Sequence, residues 1–241
     1  RDPATGELEE YDLNPVILTE PDPLTFAANV SSNYNGSQIS CTGATDGEIT
    51  VTVSGGTAPF DYSIDNGTSF VALAASNPFT ITALGDGTYD IFVQDANGCT
   101  TTATSISLSE PANLNAVVNI TSNYNGQDIS CVGAADGAVT IVASGGTAPY
   151  QFDFNNQGLF TTNTSINGLG SGTYDLLIAD ANSCSNSYIG IVTLTDPTPI
   201  VFGGATIVSN YNGADITCFC AADGDISILA SGGTSTSGDY T

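Results

Sequence analysis

The sequence has almost no positive charge and no histidine, methionine or tryptophan. Its only Lys or Arg is Arg1, against 25 Asp and Glu, so the formal net charge at pH 7 is −24. Binding to nucleic acid requires Lys and Arg that displace counterions from phosphates, so the composition excludes that class, and anionic membrane surfaces are excluded for the same reason. Without histidine, the chain has no Ser-His or Cys-His nucleophile pair and no imidazole metal ligand. These absences exclude most of the familiar catalytic mechanisms.

The sequence also lacks a long apolar run. No stretch approaches the ~20 apolar residues that cross a bilayer, so we expect no membrane insertion. Hydrophobic residues make up 41% of the chain and charged residues 11%, a balance typical of a chain that folds. The first residues contain no apolar signal core. We interpret the chain as a processed or internal piece of a longer tandem protein.

One pattern occurs three times along the chain. Each copy contains Ser-Asn-Tyr-Asn-Gly, beginning at Ser32, Ser122 and Ser209, and a cysteine, an Asp-Gly and a Gly-Gly follow in the same order. The two complete copies continue to Gly-Thr-Tyr and then to Asp-Ala-Asn-x-Cys. We divide the chain into the tail of a preceding repeat (1–21), two complete repeats (22–111 and 112–197) and a partial third repeat with its A and B strands (198–241).

The apolar residues within each copy alternate with a period of two. Ile49, Val51 and Val53 alternate with threonines, and the other copies repeat this pattern. Such alternation predicts strands with one buried face, and no segment has a helical period. Six to seven short strands per repeat predict an all-β fold, with tandem immunoglobulin-like β-sandwich repeats stacked end to end. Tyr89 and Tyr174, in the Gly-Thr-Tyr elements, are predicted to form structural tyrosine corners.

The order of the motifs closely resembles the SprB repeat. The shared run comprises Cys-x-Gly-x-x-Asp-Gly, an alternating strand, Gly-Gly-Thr-Ala-Pro-aromatic, Gly-Thr-Tyr, Asp-Ala-Asn-Gly-Cys and a closing Glu-Pro, and the resemblance covers nearly all of residues 22–241. SprB repeats occur in very long surface adhesins of gliding Bacteroidetes bacteria, exported by the type IX secretion system. The resemblance implies an extracellular, outer-membrane-attached filament or stalk used in adhesion and gliding motility, without enzyme activity or cofactor.

The six cysteines favour disulfide bonds over a zinc site. The only close pair, Cys218 and Cys220, lacks the usual two-residue spacer, and no second pair or histidine completes four ligands. Disulfides are typical of extracellular proteins, which agrees with the resemblance. The partner of Cys220 stays open.

Strand geometry favours a disulfide between repeats. In an immunoglobulin-type sandwich the turn after Cys41 and the turn before Cys99 lie at opposite ends, about 23 Å apart, whereas a disulfide needs Cα atoms within about 7 Å. We therefore expect Cys41 to pair with Cys184 of the next repeat, Cys99 with an upstream repeat, and Cys131 with the F–G turn of the third repeat. Pairs within each repeat and unpaired thiols are the alternatives.

The acidic residues are interpreted mainly as turn formers. Asp46, Asp86 and Asp95 lie in Asp-Gly and Asp-Ala-Asn-Gly segments, where Asx side chains bind the backbone and glycine takes a positive φ. Calcium is the alternative, because these oxygens are hard ligands, although no EF-hand spacing is present. A glycosidase pair of carboxylates is disfavoured, because the same turns recur from copy to copy.

Two roles are open for the repeated loop tyrosines Tyr34, Tyr124 and Tyr211. Each either anchors its loop on the sandwich, which we favour, or is exposed for stacking on carbohydrate.

The sequence supports one main function and two alternatives. We expect a stalk segment of a surface adhesin, whose partners are the neighbouring repeats of the same longer chain. In the first alternative, each repeat binds a glycan or surface through its loops. In the second, the chain is a subunit of a polymeric extracellular filament. Partners in these alternatives are surface polysaccharide or other adhesin chains, and a charge of −24 keeps such chains mutually repulsive.

Overall fold

The computed structural model describes residues 18–72 and 77–233. These residues form strands, turns and irregular segments, and the described part contains no helix, as the period-two pattern predicted. No helix of the described residues is therefore long and apolar enough to span a membrane. Most of the predicted tail of a preceding repeat, residues 1–17, lies outside the described part.

The chain forms two compact units whose boundaries differ from the sequence repeats. The first unit contains Arg1–Ser32 and Ala44–Ser109, and the second contains Asn33–Gly43 and Glu110–Thr241. The segment Asn33–Gly43 belongs to the first repeat by sequence, but it is part of the second unit. We call this segment the A–B loop, because it connects the first two strands of the first repeat.

The described residues of the first unit form seven strands in two sheets. These are β1 (Thr25–Val30), β2 (Gly47–Ser54), β3 (Phe60–Ser63), β4 (Val71–Ala72), β5 (Phe79–Leu84), β6 (Gly87–Asp95) and β7 (Thr104–Leu108). One sheet has the order β1-β2-β5 and the other β4-β3-β6-β7, and every pairing is antiparallel. In immunoglobulin terms these sheets are A-B-E and C′-C-F-G, so the fold is an immunoglobulin-like sandwich.

The core of the first unit follows from the alternating pattern. Ile49 and Val51 of β2 and Ile91 and Val93 of β6 are completely buried, whereas the threonines between them in β2 are not. The rings of Tyr62 and Phe79, which come from different sheets, lie 5.3 Å apart.

The second unit repeats this architecture with one strand fewer and adds a hairpin. Its strands are β8 (Asn115–Ile120), β9 (Gly137–Ser144), β10 (Gln151–Phe154), β11 (Ser165–Leu169), β12 (Gly172–Ala179) and β13 (Ser185–Leu194). The sheets are β11-β9-β8 and β10-β12-β13, which enclose a core of Leu114, Ala116, Ile141, Phe152, Leu176 and Ile178. The sequence is shorter here between the third and fourth strands, and no strand corresponding to β4 forms.

The third copy of the pattern forms a two-stranded antiparallel hairpin. It pairs β14 (Val201–Ile207) with β15 (Ile226–Ser231). Ile226 and Ile228 correspond to the buried Ile49 and Val51, but here they are 65% and 68% exposed. The alternating pattern therefore specifies the strand, whereas burial of its apolar face depends on a second sheet.

Both predicted tyrosine corners are present in the structure. The Tyr89 hydroxyl donates to the Gly85 carbonyl at 3.0 Å, and the Tyr174 hydroxyl donates to the Gly170 carbonyl at 2.9 Å. Each bond ties the start of strand F, which is β6 in the first unit and β12 in the second, to the connection that precedes it.

Tyr174→Phe should lower the free energy of unfolding by about 1 kcal/mol, because it removes one hydrogen bond from a half-buried carbonyl. Urea denaturation measures this change. Tyr62→Phe is the matched control, because the Tyr62 hydroxyl has no hydrogen-bond partner among residues 18–72 and 77–233, and its effect should be within a few tenths of a kcal/mol. Equal losses in both variants would contradict a specific role for the corner.

In each copy, the Gly-Gly segment forms a backbone hydrogen bond with the first residues of the same repeat. The Gly146 N–H donates to the Ala112 carbonyl at 2.7 Å, and a Cβ on Gly145 would lie 1.8 Å from the Asn113 carbonyl oxygen. The same approach occurs at Gly55 and at Gly232. Glycine is required here because the linker backbone passes too close for any side chain.

Gly145→Ala should destabilise the second unit by about 3 kcal/mol or more, because the new methyl group overlaps backbone that cannot move independently. Gly158→Ala is the control. Gly158 has nearly the same φ, +74° against +70°, but open space around its Cβ position. The free energy of unfolding of the control should fall only by the cost of alanine in a left-handed backbone conformation, about 1–2 kcal/mol. Thermal or urea denaturation measures this change. Equal costs would mean that the close approach is unimportant.

Candidate functional site

The A–B loop begins with a tight two-residue turn built by Asn-Tyr-Asn-Gly. Tyr34 and Ser37 exchange backbone hydrogen bonds of 2.7 and 3.0 Å, while Asn35 and Gly36 have φ values of 51° and 100°. Positive φ at both central positions defines the type I′ turn, for which Asn-Gly is the preferred pair. The Asn33 side chain also accepts the Gly36 N–H at 2.9 Å. The other two copies form the same turn.

The F–G turn of the second repeat, Asp180–Cys184, is organised by one carboxylate. Asp180 is 7% exposed and accepts three backbone N–H groups, from Asn182 and Cys184 at 2.9 Å and from Thr147 at 2.8 Å. A buried carboxylate is stable only when its oxygens are paired in this way. The turn therefore has a fixed shape, which sets the positions of Asn182 and Cys184.

The first unit carries the same turn around Asp95. This carboxylate accepts the N–H groups of Asn97, Cys99 and Thr57 at 3.0, 2.9 and 3.1 Å. Burial alone would raise the pKa of Asp95, but the hydrogen bonds from Cys99, Thr57 and Asn97 together lower it below its usual value of 3.8. The ionised carboxylate is thus part of the folded turn.

A disulfide joins the A–B loop to the F–G turn of the second repeat. Cys41 and Cys184 are bonded with their Cα atoms 5.6 Å apart and are separated by 143 residues in sequence. This is the pairing between repeats that strand geometry favoured over Cys41–Cys99. It lies wholly within the second compact unit, because the A–B loop is part of that unit.

Asn182, two residues before Cys184, forms hydrogen bonds with the A–B loop. Its side-chain oxygen accepts the Asn35 amide at 2.7 Å, and its own amide donates to the carbonyls of Tyr34 and Ser40 at 3.2 and 3.1 Å. The same amide also lies 3.1 Å from the Thr147 hydroxyl. The Asn182 side chain therefore binds backbone carbonyls of the A–B loop and also the Thr147 hydroxyl of its own repeat. The motif pattern did not predict this role for Asn182, although the repeated Asp-Ala-Asn motif contains the residue.

The linker between the two complete repeats is bound at both of its ends. On one side, a Glu110 carboxylate oxygen accepts the Gly43 N–H at 2.6 Å, and the Thr42 hydroxyl donates to the Pro111 carbonyl at 2.9 Å. On the other side, Gly146 holds Ala112 as described above. We call the disulfide, the Asn182 contacts and this linker together the first joint.

The remaining four cysteines, Cys99, Cys131, Cys218 and Cys220, are free and exposed. Cys220 takes the place of Gly43 and Gly133 and shares their left-handed backbone, with φ values of 68°, 76° and 78°. A non-glycine residue there carries a strain of about 1–2 kcal/mol. Nothing in the structure explains the cysteine at this position.

The loop tyrosines hold their loops in the two copies where their hydroxyl bonds are seen. The Tyr124 hydroxyl donates to the Asp136 carbonyl at 3.0 Å, and the Tyr211 hydroxyl donates to the Asp223 carbonyl at 3.1 Å. Burial, the nearby Asp136 charge and the hydrogen bond raise the pKa of Tyr124 above 10.0. This agrees with the anchoring interpretation rather than with a free stacking surface.

The described residues offer no assembled metal or catalytic centre. Among residues 18–72 and 77–233 no group of three His, Cys, Asp or Glu residues is placed to hold a metal ion. Asp95 and Asp180 use their oxygens for backbone N–H groups, so they act as turn formers here. The chemistry that the arrangement supports is a covalent and hydrogen-bonded connection.

The fold and the first joint define a tandem immunoglobulin-like repeat protein. The SprB repeat model matches residues 33–69 and 123–159, in agreement with the resemblance in motif order. A comparison with curated protein sequences found no match.

Three solved structures show a weak likeness to most of the chain. The three N-terminal domains of the bacteriophage RB49 Highly Immunogenic Outer Capsid protein are 15% identical, with coverage of 88% of this chain and 72% of that chain and a TM-score of 0.39. A C-terminal fragment of intimin, in complex with the intimin-binding domain of its translocated receptor, is 13% identical, with coverage of 77% and 67% and a TM-score of 0.29. Fibronectin(III)-like modules of Clostridium thermocellum CbhA are 13% identical, with coverage of 68% and 94% and a TM-score of 0.28. Scores this low say nothing about what the chain does.

Replacing both Cys41 and Cys184 by serine should destabilise the second unit by up to about 5 kcal/mol, the chain-entropy value for closing a loop of this length. Urea denaturation without reductant measures the change. The control Cys99→Ser/Cys131→Ser removes two exposed thiols and no bond, and its stability should match that of the original protein. An equal loss in the control would show that thiol replacement, not the crosslink, is responsible.

Asp95→Asn should lower the melting temperature of the first unit at pH 7. The difference in melting temperature between the variant and the original protein should become smaller in acid. Because the folded-state pKa of Asp95 is lowered, its contribution is complete above the unfolded-state pKa near 4 and is lost as the pH falls through the folded-state value. Thermal denaturation at pH 7, 4, 3 and 2 tests this. A difference in melting temperature that stays constant down to pH 2 would show that the ionised carboxylate does not stabilise the turn.

Proposed function

We propose that the chain is a load-bearing segment of a cell-surface adhesin, and that it transmits tension through its covalent connections without performing a reaction. The observation that carries this proposal is the Cys41–Cys184 disulfide. It connects the beginning of the first complete repeat to the end of the second, and so it changes the route by which a pulling force passes through the chain.

The route can be derived from connectivity alone. Strands β2 to β12 lie between Cys41 and Cys184 in sequence, so they are inside the covalent loop. A force applied to the two ends of the chain crosses from Cys41 to Cys184 through the disulfide and leaves those strands unloaded. Released and fully extended, 143 residues would lengthen the chain by about 500 Å at ~3.6 Å per residue.

The noncovalent contacts of the first joint fit the same role. Asn182 makes hydrogen bonds to Asn35, Tyr34 and Ser40, and these must break before the A–B loop can leave the F–G turn. The linker is fixed through Glu110 and Pro111. The charge of −24 opposes association between neighbouring chains.

The proposed cellular setting rests on the similarity to SprB repeats. The match of residues 33–69 and 123–159 to this repeat supports an extracellular location on an outer-membrane-attached adhesin, with a role in adhesion and gliding motility. The partners of the segment in this setting are the neighbouring repeats of the same longer chain. The hydroxyl bonds of Tyr124 and Tyr211 support the role of these side chains as anchors of their loops.

Single-molecule stretching of the chain from its two ends tests the proposal. Without reductant, the fully extended length should be about 500 Å shorter than with reductant, because the loop stays closed. The Cys41→Ser/Cys184→Ser variant should give the longer value in both conditions, and Cys99→Ser should behave as the original protein. An oxidised chain that extends to its full length would refute the load-bearing route.

A glycan-array and surface-binding assay with the same protein separates the stalk from a binding array. We expect no binding above background. Binding that is lost in Tyr124→Ala, with the fold retained by circular dichroism, would contradict the stalk proposal and support the loops as ligand sites.

A further inference from the structure

We propose that a groove beside Cys131 is a docking site for an Asp-x-Asn-x-Cys turn, and that Cys131 forms a disulfide with the cysteine of that turn. The occupant is a turn of the same chemistry as Asp180–Cys184, supplied by another repeat. The inference extends the proposed function from the first joint to a second one.

The loop around Cys131 has the conformation that the A–B loop has around Cys41. Tyr124 and Gln127 exchange backbone hydrogen bonds of 2.8 and 3.1 Å, the counterpart of the Tyr34–Ser37 pair. Gly133 has a φ of 78°, against 76° at Gly43. The loop that receives Cys184 in the first joint is therefore reproduced one repeat later, with an exposed thiol in the place of the bonded one.

The linker beside Cys131 also repeats the first joint. An Asp196 carboxylate oxygen accepts the Gly133 N–H at 3.4 Å, as Glu110 accepts that of Gly43. The Gly233 N–H donates to the Thr198 carbonyl at 2.7 Å, as Gly146 does to Ala112. Both ends of this linker are thus held in the manner seen at the first joint.

A groove of about 300 Å³ lies between these elements. Its walls are Ser130, Cys131, Val132, residues 197–200 and Gly233. By repeat correspondence Gly233 matches Gly146, which directly precedes the Thr147 that contacts Asn182 and Asp180 in the first joint. The groove is therefore placed where the F–G turn lies in the first joint, and this correspondence identifies its occupant.

The turn that would dock is formed before docking. Asp95 organises Asn97 and Cys99 with the same three backbone bonds that Asp180 makes, although Cys99 is free and exposed. The turn therefore needs no partner to take its shape. The side-chain amide of its asparagine can then donate to a backbone carbonyl of the receiving loop, as Asn182 donates to the Ser40 carbonyl.

Bond formation at this site is a thiol–disulfide exchange. The Cys131 thiolate attacks the sulfur of a turn cysteine that is held as a mixed disulfide with a small thiol. The Cys131–turn bond forms, the bond to the small thiol breaks, and the departing thiolate takes up the proton that Cys131 lost. The electrons balance within the exchange, and the mixed disulfide is the oxidant.

The test uses the full chain and a cyclic hairpin peptide with the sequence of residues 176–188, activated at its cysteine as the glutathione mixed disulfide. Oxidised glutathione alone is the reference reagent. Peptide mapping by mass spectrometry gives the fraction of Cys131, Cys99 and Cys218 modified. Cys99 and Cys218 are exposed thiols that do not line the groove, so they report intrinsic reactivity.

With the peptide, the ratio of Cys131 to Cys218 modification should exceed the ratio with oxidised glutathione by about tenfold, the effect of one to two net hydrogen bonds. A peptide carrying alanine at the position of Asn182 should return the ratio to the reference value. Equal ratios for peptide and glutathione, or a preference of the peptide for Cys99 or Cys218, would overturn the proposal. Neither result would affect the stretching experiment, which concerns Cys41 and Cys184.

Discussion

The organisation of the second unit depends on a disulfide between a loop of one repeat and a turn of the next. Cys41 reaches Cys184 because the A–B loop belongs to the second compact unit, not to the unit that contains the rest of its repeat. The bond closes a loop of 143 residues, so its entropic contribution is large compared with that of any single hydrogen bond. Asn182 and Glu110 give the contact its specificity, since each binds backbone groups of the loop.

The cysteine is presented by a buried carboxylate. Asp180 pairs its oxygens with three N–H groups, and Asp95 does the same in the first unit. In a chain with one basic residue, backbone N–H groups take the place of ion pairs. The high acidity is therefore compatible with a stable fold, because these acidic residues serve turn geometry.

Strands, sandwich class and tyrosine corners were predictable, because each depends on a local pattern. Alternation of Ile49, Val51 and Val53 identifies β2, and Gly-Thr-Tyr identifies the corners. The favoured cysteine pairing followed from the length of strand between the two turns. The role of Asn182 was not predicted, because its hydrogen bonds depend on the exact course of the loop backbone beside the turn. The placement of Asn33–Gly43 in the second unit was not predicted either, because the sequence motifs assign this segment to the first repeat. Ile226 and Ile228 are exposed, so an alternating pattern specifies a strand but does not determine whether a second sheet covers its apolar face.

The central claim is that covalent linkage passes from one repeat to the next and does not close within each repeat. Digestion of the oxidised, unreduced protein followed by mass spectrometry of the crosslinked peptides tests it most directly. We predict a peptide pair joined through Cys41 and Cys184. Recovery of Cys41 joined to Cys99, together with Cys131 joined to Cys184, would contradict the account.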